Sequence, residues 1–170
     1  MGQFQWIIAA ELAAKYHEGQ MYGTDPYVKH LYDVDAFVIT HEMPVKDHCE
    51  QYIKVPGEYR DLLRATVWLH DIIEDTSCKI SDLLAAGICK EVVEAVVLLS
   101  KTPGYNLADY LNAICTNPIA RTVKQWDSWA NFNQNVCEKN FERAFKYVHQ
   151  FWVLVDGKWF EPTTIYKAAA

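Results

Sequence analysis

A basic excess is missing from this chain. Lysine and arginine number 16 against 22 aspartates and glutamates, a net charge of −6, which argues against general nucleic-acid binding through a basic face. A small anionic substrate stays compatible, because a local metal or basic cluster overrides the global sign. No apolar run approaches the length of a transmembrane helix, so no membrane partner is expected. There is no internal repeat and no low-complexity segment. The five cysteines (Cys49, Cys78, Cys89, Cys115 and Cys137) form no CxxC pair, and an odd count suits no disulfide framework. Reduced thiols and a cytoplasmic location are the expectation. The apolar stretch after Gln5 has no basic leader and is interrupted by Glu11, unlike a signal peptide. Gly2 is followed at position 6 by Trp6, where a myristoylation signal needs Ser or Thr.

What is present fits a globular domain with a substantial core: 170 residues, 51% hydrophobic and 22% charged. Apolar residues recur at helical spacing almost throughout. Phe4, Ile7, Ile8, Leu12 and Tyr16 predict a first helix that ends near residues 19–23. Pro26 suits the first turn of a second, carrying Tyr27, Leu31, Val34, Phe37 and Val38. Residues 42–57 form a connection with room for one short helix. Leu62, Leu63, Ala65, Thr66, Leu69, Ile72 and Ile73 mark a third, deeply buried helix. Further helices are predicted over 80–86 with Gly87 as C-cap, over 92–99, after Asn106, from Pro118 to about 130, and over 141–152. The Asp156-Gly157 pair between 152–155 and 158–160 has the turn chemistry of a β-hairpin. The fold class is therefore all-α with a small C-terminal β-hairpin, and the organisation one domain over 1–151 followed by a hairpin and tail over 152–170. Trp152, Trp159 and Phe160 make that last segment either a contact surface or a flap packed back on the bundle.

Chemistry concentrates in WLHDIIEDT, residues 68–76, where His70, Asp71, Glu74 and Asp75 follow an apolar run. In a continuous helix His70 shares a face with Glu74, and Asp71 with Asp75. Carboxylates at a helix C-terminus oppose the dipole by roughly 0.3–1 kcal/mol each, a conflict that a bound cation removes. A charge-rich helix end is usually only a solvated face. The ligand reading gains from His30 in the second helix and from Asp127, a charge flanked by tryptophans. Two imidazoles and two carboxylates suit a borderline-to-hard divalent ion such as Mn²⁺, whereas histidine alone suits zinc as well.

The blocks KYHEGQMYGTDPYVKHL, ATVWLHDIIEDT and LLSKTPGYNLADYLNAICTNPIARTVKQWDSWAN, in this order, resemble the HD phosphohydrolases, and in particular the RelA/SpoT-type alarmone hydrolase domain and its small stand-alone relatives. The resemblance spans about residues 5–150. It implies a helical HD-domain bundle of about seven or eight helices around one divalent metal ion, commonly Mn²⁺. His30, His70, Asp71 and Asp127 match the ligands. Glu74 and Asp75 match the acidic pair that positions or activates the attacking water, and Asn131 matches a pocket-lining asparagine. The activity implied is removal of the 3′-diphosphate from guanosine tetra- or pentaphosphate, written (p)ppGpp. An anionic nucleotide needs neutralising donors, for which Lys15, Lys101 and Lys124 are candidates, although each has the usual alternative of a surface lysine. Tyr22, Tyr105 and Tyr110 either stack on a base or pack.

Two departures bear on substrate. Gln20-Met21-Tyr22-Gly23 stands where the alarmone hydrolases usually carry basic residues, and Gln125-Trp126 where small or aliphatic residues precede the late aspartate. Ala130 occupies a position that is commonly polar. The ligand set is intact, so metal binding is the firmer expectation. Three activities follow: an alarmone pyrophosphohydrolase, a nucleotidase or dNTP phosphohydrolase of the same type, or a non-catalytic nucleotide- or partner-binding module. A homo-oligomer is compatible with each.

Overall fold

The structure is a computed structural model that describes residues 4–40, 45–46, 52–53 and 57–162. Helix α1 (Gln5–Tyr16) leads into a tight antiparallel ribbon of β1 (Met21–Tyr22) and β2 (Asp25–Pro26), with Met21 opposite Pro26. Helix α2 (Tyr27–Thr40) starts directly after Pro26. Two short strands, β3 (Val45–Lys46) and β4 (Tyr52–Ile53), then pair antiparallel where the sequence left room for a short helix. The remainder of that connection, with Cys49, lies outside the described residues, as do Gly2 and the tail from 163 to 170. There follow α3 (Gly57–Leu69), α4 (Ile72–Asp75), α5 (Ile80–Ala85), α6 (Lys90–Leu99), α7 (Leu107–Cys115), α8 (Pro118–Cys137) and α9 (Phe141–Asp156). No helix among the described residues is long and apolar enough to cross a membrane. Cys78, Cys89, Cys115 and Cys137 are all free thiols.

Helices α2, α3 and α6 form a central layer that feeds two apolar clusters. On one side Leu31, Leu69, Ile72 and Val92 pack against Ala9 and Ala13 of α1. On the other, Val34, Val67 and Leu99 meet Leu111, Val123 and Leu154 of α7, α8 and α9. Local chemistry sets the ends. Asn106 accepts hydrogen bonds from the backbone N–H groups of Ala108 and Asp109, and Asn117 accepts from Ala120 behind Pro118 at the first turn of α8. The start of α1 is capped from afar, as Asp61 accepts from the N–H groups of Gln5 and Trp6.

Two sequence expectations are corrected. The third helix does not run through His70: it stops at Leu69, a turn carries His70 and Asp71, and α4 restarts at Ile72. The apolar spacing conceals the break because Leu69 and Ile72 are both core residues, each fully buried. The expected C-terminal hairpin is instead the end of a helix. α9 continues to Asp156, and Gly157 closes it in the left-handed conformation (φ 82°), its N–H bonded to the carbonyl of Val153. Arg121 reinforces this end by donating from Nε to Leu154 O at 2.6 Å and from Nη2 to Val155 O at 2.8 Å. Beyond the cap, Trp159 and Phe160 pack edge-on against buried His149, while Trp152 stays exposed. Gly157→Ala places a side chain in a conformation unfavourable for L-residues and brings its Cβ to 3.3 Å from the Arg121 guanidinium. We expect a loss of about 1 kcal/mol, read as a fall of roughly 2–4 °C in thermal unfolding for a chain of this size.

Candidate metal centre

Three elements bring the chemistry together. His30 lies one turn into α2, His70 and Asp71 occupy the α3–α4 turn, and Asp127 sits at the middle of α8. His30 Nε2 is 3.2 Å from Asp127 Oδ1, His70 Nε2 is 3.5 Å from the same oxygen, and His70 Nε2 is 3.0 Å from Asp71 Oδ2. His30, His70 and Asp127 offer ligand atoms that all lie within 4.8 Å of one another, and Asp71 joins this group through His70. Atoms bound at right angles about an ion at about 2.1 Å stand about 3 Å apart, so the observed spacings fit a divalent cation.

The orientation of His70 makes the fit specific. Its Nδ1–H donates to the carbonyl of Val67 at 2.7 Å, which turns Nε2 toward the carboxylates. That buried Nε2 makes no hydrogen bond of acceptable geometry, although carboxylate oxygens surround it. Such an arrangement needs a proton or a metal ion. Burial alone would lower the His70 pKa, but Asp71 and Asp127 outweigh it and raise it to about 10. An ion must therefore displace a proton. Mn²⁺ affinity is expected to rise with pH up to about 10, by up to about tenfold per unit for each proton released. Calorimetry in two buffers of different ionisation enthalpy reads that release directly.

Helix α8 supplies the supports of Asp127 at helical spacing. Lys124 donates to Oδ2 at 2.7 Å, and Asn131 Nδ2 donates to Oδ1 at 2.6 Å. Asn131 in turn accepts from the Tyr22 hydroxyl at 2.8 Å, and the Tyr22 ring stacks on His30 at 4.5 Å. Burial pushes the Asp127 carboxyl up, but Lys124 and the two histidines hold it well below its ordinary value. Lys124 is thus neither a surface lysine nor a free donor: it is buried in a pair with Asp127.

The acidic pair divides unexpectedly. Both Glu74 oxygens accept from Lys101 Nζ at 3.0 Å, and Oε2 also accepts from the Lys101 backbone N–H at 2.9 Å. No cation among the described residues pairs with Asp75. Burial, then Asp71 and Glu74, raise its pKa. Lys15 lies elsewhere, beside the Tyr16 ring and within electrostatic reach of Cys78. Tyr105 is partly exposed and edge-on to Tyr110, whose hydroxyl donates to Leu99 O within the core. Trp126 stacks on Phe37 in the core cluster, and Trp129 packs on Phe132 and Phe151, so the two tryptophans beside Asp127 serve packing. Tyr27 was not anticipated as part of the centre: its hydroxyl donates to Asp71 Oδ2. The available signal was its position one turn before His30.

A cavity of about 300 Å³ opens beside His30 between α2 and α8, walled by Tyr22, Phe37, Ala130, Asn133 and Gln134. Ala130 keeps this wall small; Asp33 also lines it, and among the described residues no lysine or arginine does.

No family model matches the chain, and no curated protein sequence matches it. Among solved structures, the chain is similar to one described as a metazoan ortholog of SpoT that hydrolyzes ppGpp and plays a role in starvation responses. The TM-score is 0.64 and the identity 16%, over 92% of this chain and 86% of that one. At that identity the likeness is one of architecture: this chain shares the helical fold of that structure.

Proposed function

We propose that the chain is a metal-dependent phosphohydrolase acting on a nucleotide, with the 3′-diphosphate of (p)ppGpp or a related alarmone as its substrate group. The observation that supports this most is the convergence of His30, His70, Asp71 and Asp127 at spacings of 3.0 to 3.5 Å around the unpartnered His70 Nε2. Those four residues would hold the ion, and Mn²⁺ suits their mixed imidazole and carboxylate donors. When bound, it supplies a Lewis acid for a phosphoryl oxygen and lowers the pKa of water.

The protein's own groups carry the remaining work. Asp75, unpaired and with a raised pKa, is the better proton acceptor for the attacking water. Glu74 fixes Lys101 at the rim, where the ammonium faces incoming anionic groups. The cavity beside His30, lined by aromatic and amide side chains and the Asp33 carboxylate and, among the described residues, by no lysine or arginine, suits the uncharged nucleoside part of a substrate. Asp75→Asn is expected to lower turnover by about 10²–10⁴-fold, and Glu74→Gln by less, measured as initial rates under saturating Mn²⁺. An equal or larger loss for Glu74→Gln would reverse the two roles.

The test of the activity is a screen of nucleotides, alarmones included, with added Mn²⁺ and with products identified individually. Pyrophosphate from a 3′-diphosphorylated nucleotide supports the proposal. Inorganic phosphate or triphosphate from other nucleotides points to the nucleotidase or dNTP reading, and stoichiometric binding without turnover to the non-catalytic one.

A further inference from the structure

Asp71 is held by more than its place in the chain. Its Oδ2, 3.0 Å from His70 Nε2, also accepts a hydrogen bond from the Tyr27 hydroxyl. Tyr27 is itself tightly seated. Its ring stacks on His17 at 4.5 Å between centroids and 17° between planes, and stands edge-on to Tyr22 at 6.2 Å and to His30 at 5.7 Å. Its backbone N–H donates to Gln20 O at 2.9 Å, which closes the β1–β2 ribbon on the start of α2. His17 is fixed from behind, because its Nδ1–H donates to Gln20 Oε1 at 2.5 Å. Burial holds the His17 pKa below its ordinary value, so a neutral ring backs Tyr27 and adds no positive charge beside the centre.

A carboxylate oxygen has two lone-pair directions. With one occupied by the Tyr27 hydroxyl, the carboxylate cannot rotate freely, and the other direction is presented toward His70 and the cluster. Outer donors of this kind govern ligand orientation, and their loss typically weakens metal affinity by 10- to 100-fold. We propose that Tyr27, braced by His17 and Gln20, is a positioning residue that aims Asp71 and thereby sets the affinity of the centre for a divalent cation. The inference rests on the metal reading above. It adds that the segment from His17 to Tyr27, which contributes one ligand only after its end, controls a second ligand in the α3–α4 turn.

The test is titration of the full chain with Mn²⁺ by calorimetry, with no nucleotide present. Tyr27→Phe keeps the ring and its stacking and removes only the donor. It is expected to weaken Mn²⁺ binding by about 10- to 100-fold, with one ion still bound at saturation. His17→Ala, which removes the brace and keeps the donor, is expected to weaken binding by a smaller factor. Tyr59→Phe is the control: its buried hydroxyl has no hydrogen-bond partner among the described residues, so Mn²⁺ affinity is expected to be unchanged. Tyr27→Phe binding within about threefold of the parent, or more tightly, overturns the inference and leaves the metal centre standing. A parent protein that binds no Mn²⁺ overturns the metal reading itself, and this inference with it.

Discussion

His70→Ala is expected to reduce metal-dependent hydrolysis by at least about 10³-fold, with Asp71→Ala close behind. His70 Nε2 lies 3.0 Å from Asp71 and 3.5 Å from Asp127, so its removal takes away the imidazole nitrogen that both carboxylates face. It also leaves two carboxylates facing each other in a buried space, which favours their protonation and weakens what donor set is left. The measurement pairs initial rates with Mn²⁺ titration. A His70→Ala protein with within tenfold of the parent rate would rule out this centre as the site of chemistry.

The second large effect is on stability. Asp127→Ala deletes the partner of Lys124, whose side chain is only 6% exposed and whose ammonium is 2.7 Å from Asp127 Oδ2. Breaking a buried pair by removing one member costs about 3–5 kcal/mol, because the other charge is left uncompensated. For a chain of this size that corresponds to a fall of roughly 6–20 °C in midpoint, measured on metal-free protein so that lost ion binding does not contribute. Lys124→Met in the same background restores most of the loss, since the stranded ammonium is gone. A fall of less than about 3 °C in Asp127→Ala would show that solvent reaches Lys124 and that the pair is not truly buried.

The site was more legible than its surroundings. His30, His70, Asp71 and Asp127 stand out in sequence because each interrupts an apolar pattern with a group that is costly to bury alone. Helix starts at Asn106 and Pro118 were equally plain, because capping chemistry is local. The break at His70 was hidden, since Leu69 and Ile72 continue a helical spacing across a turn that breaks the helix. The C-terminal end was misread for a different reason. Asp-Gly serves a hairpin turn and a helix C-cap alike, and only the burial of Val153 and Leu154 against α8 and Arg121 selects the cap. Lys124 looked like a surface lysine because nothing nearby in sequence except Asp127, one turn on, announces its burial.

The uneven exposure of the four candidate ligands has a consequence for the order of events. The side chains of His30, His70 and Asp127 are 3%, 1% and 3% exposed, while that of Asp71 keeps 17%. Asp71 accepts at its carbonyl from the Asp75 N–H, so the most open of the four residues lies beside the proposed water-activating carboxylate. Under the proposed function, cation and anionic substrate would then arrive from the same side, the ion would enter first and leave last, and a bound nucleotide would lock it in place. Chelators would strip the resting protein quickly and the substrate-loaded protein slowly.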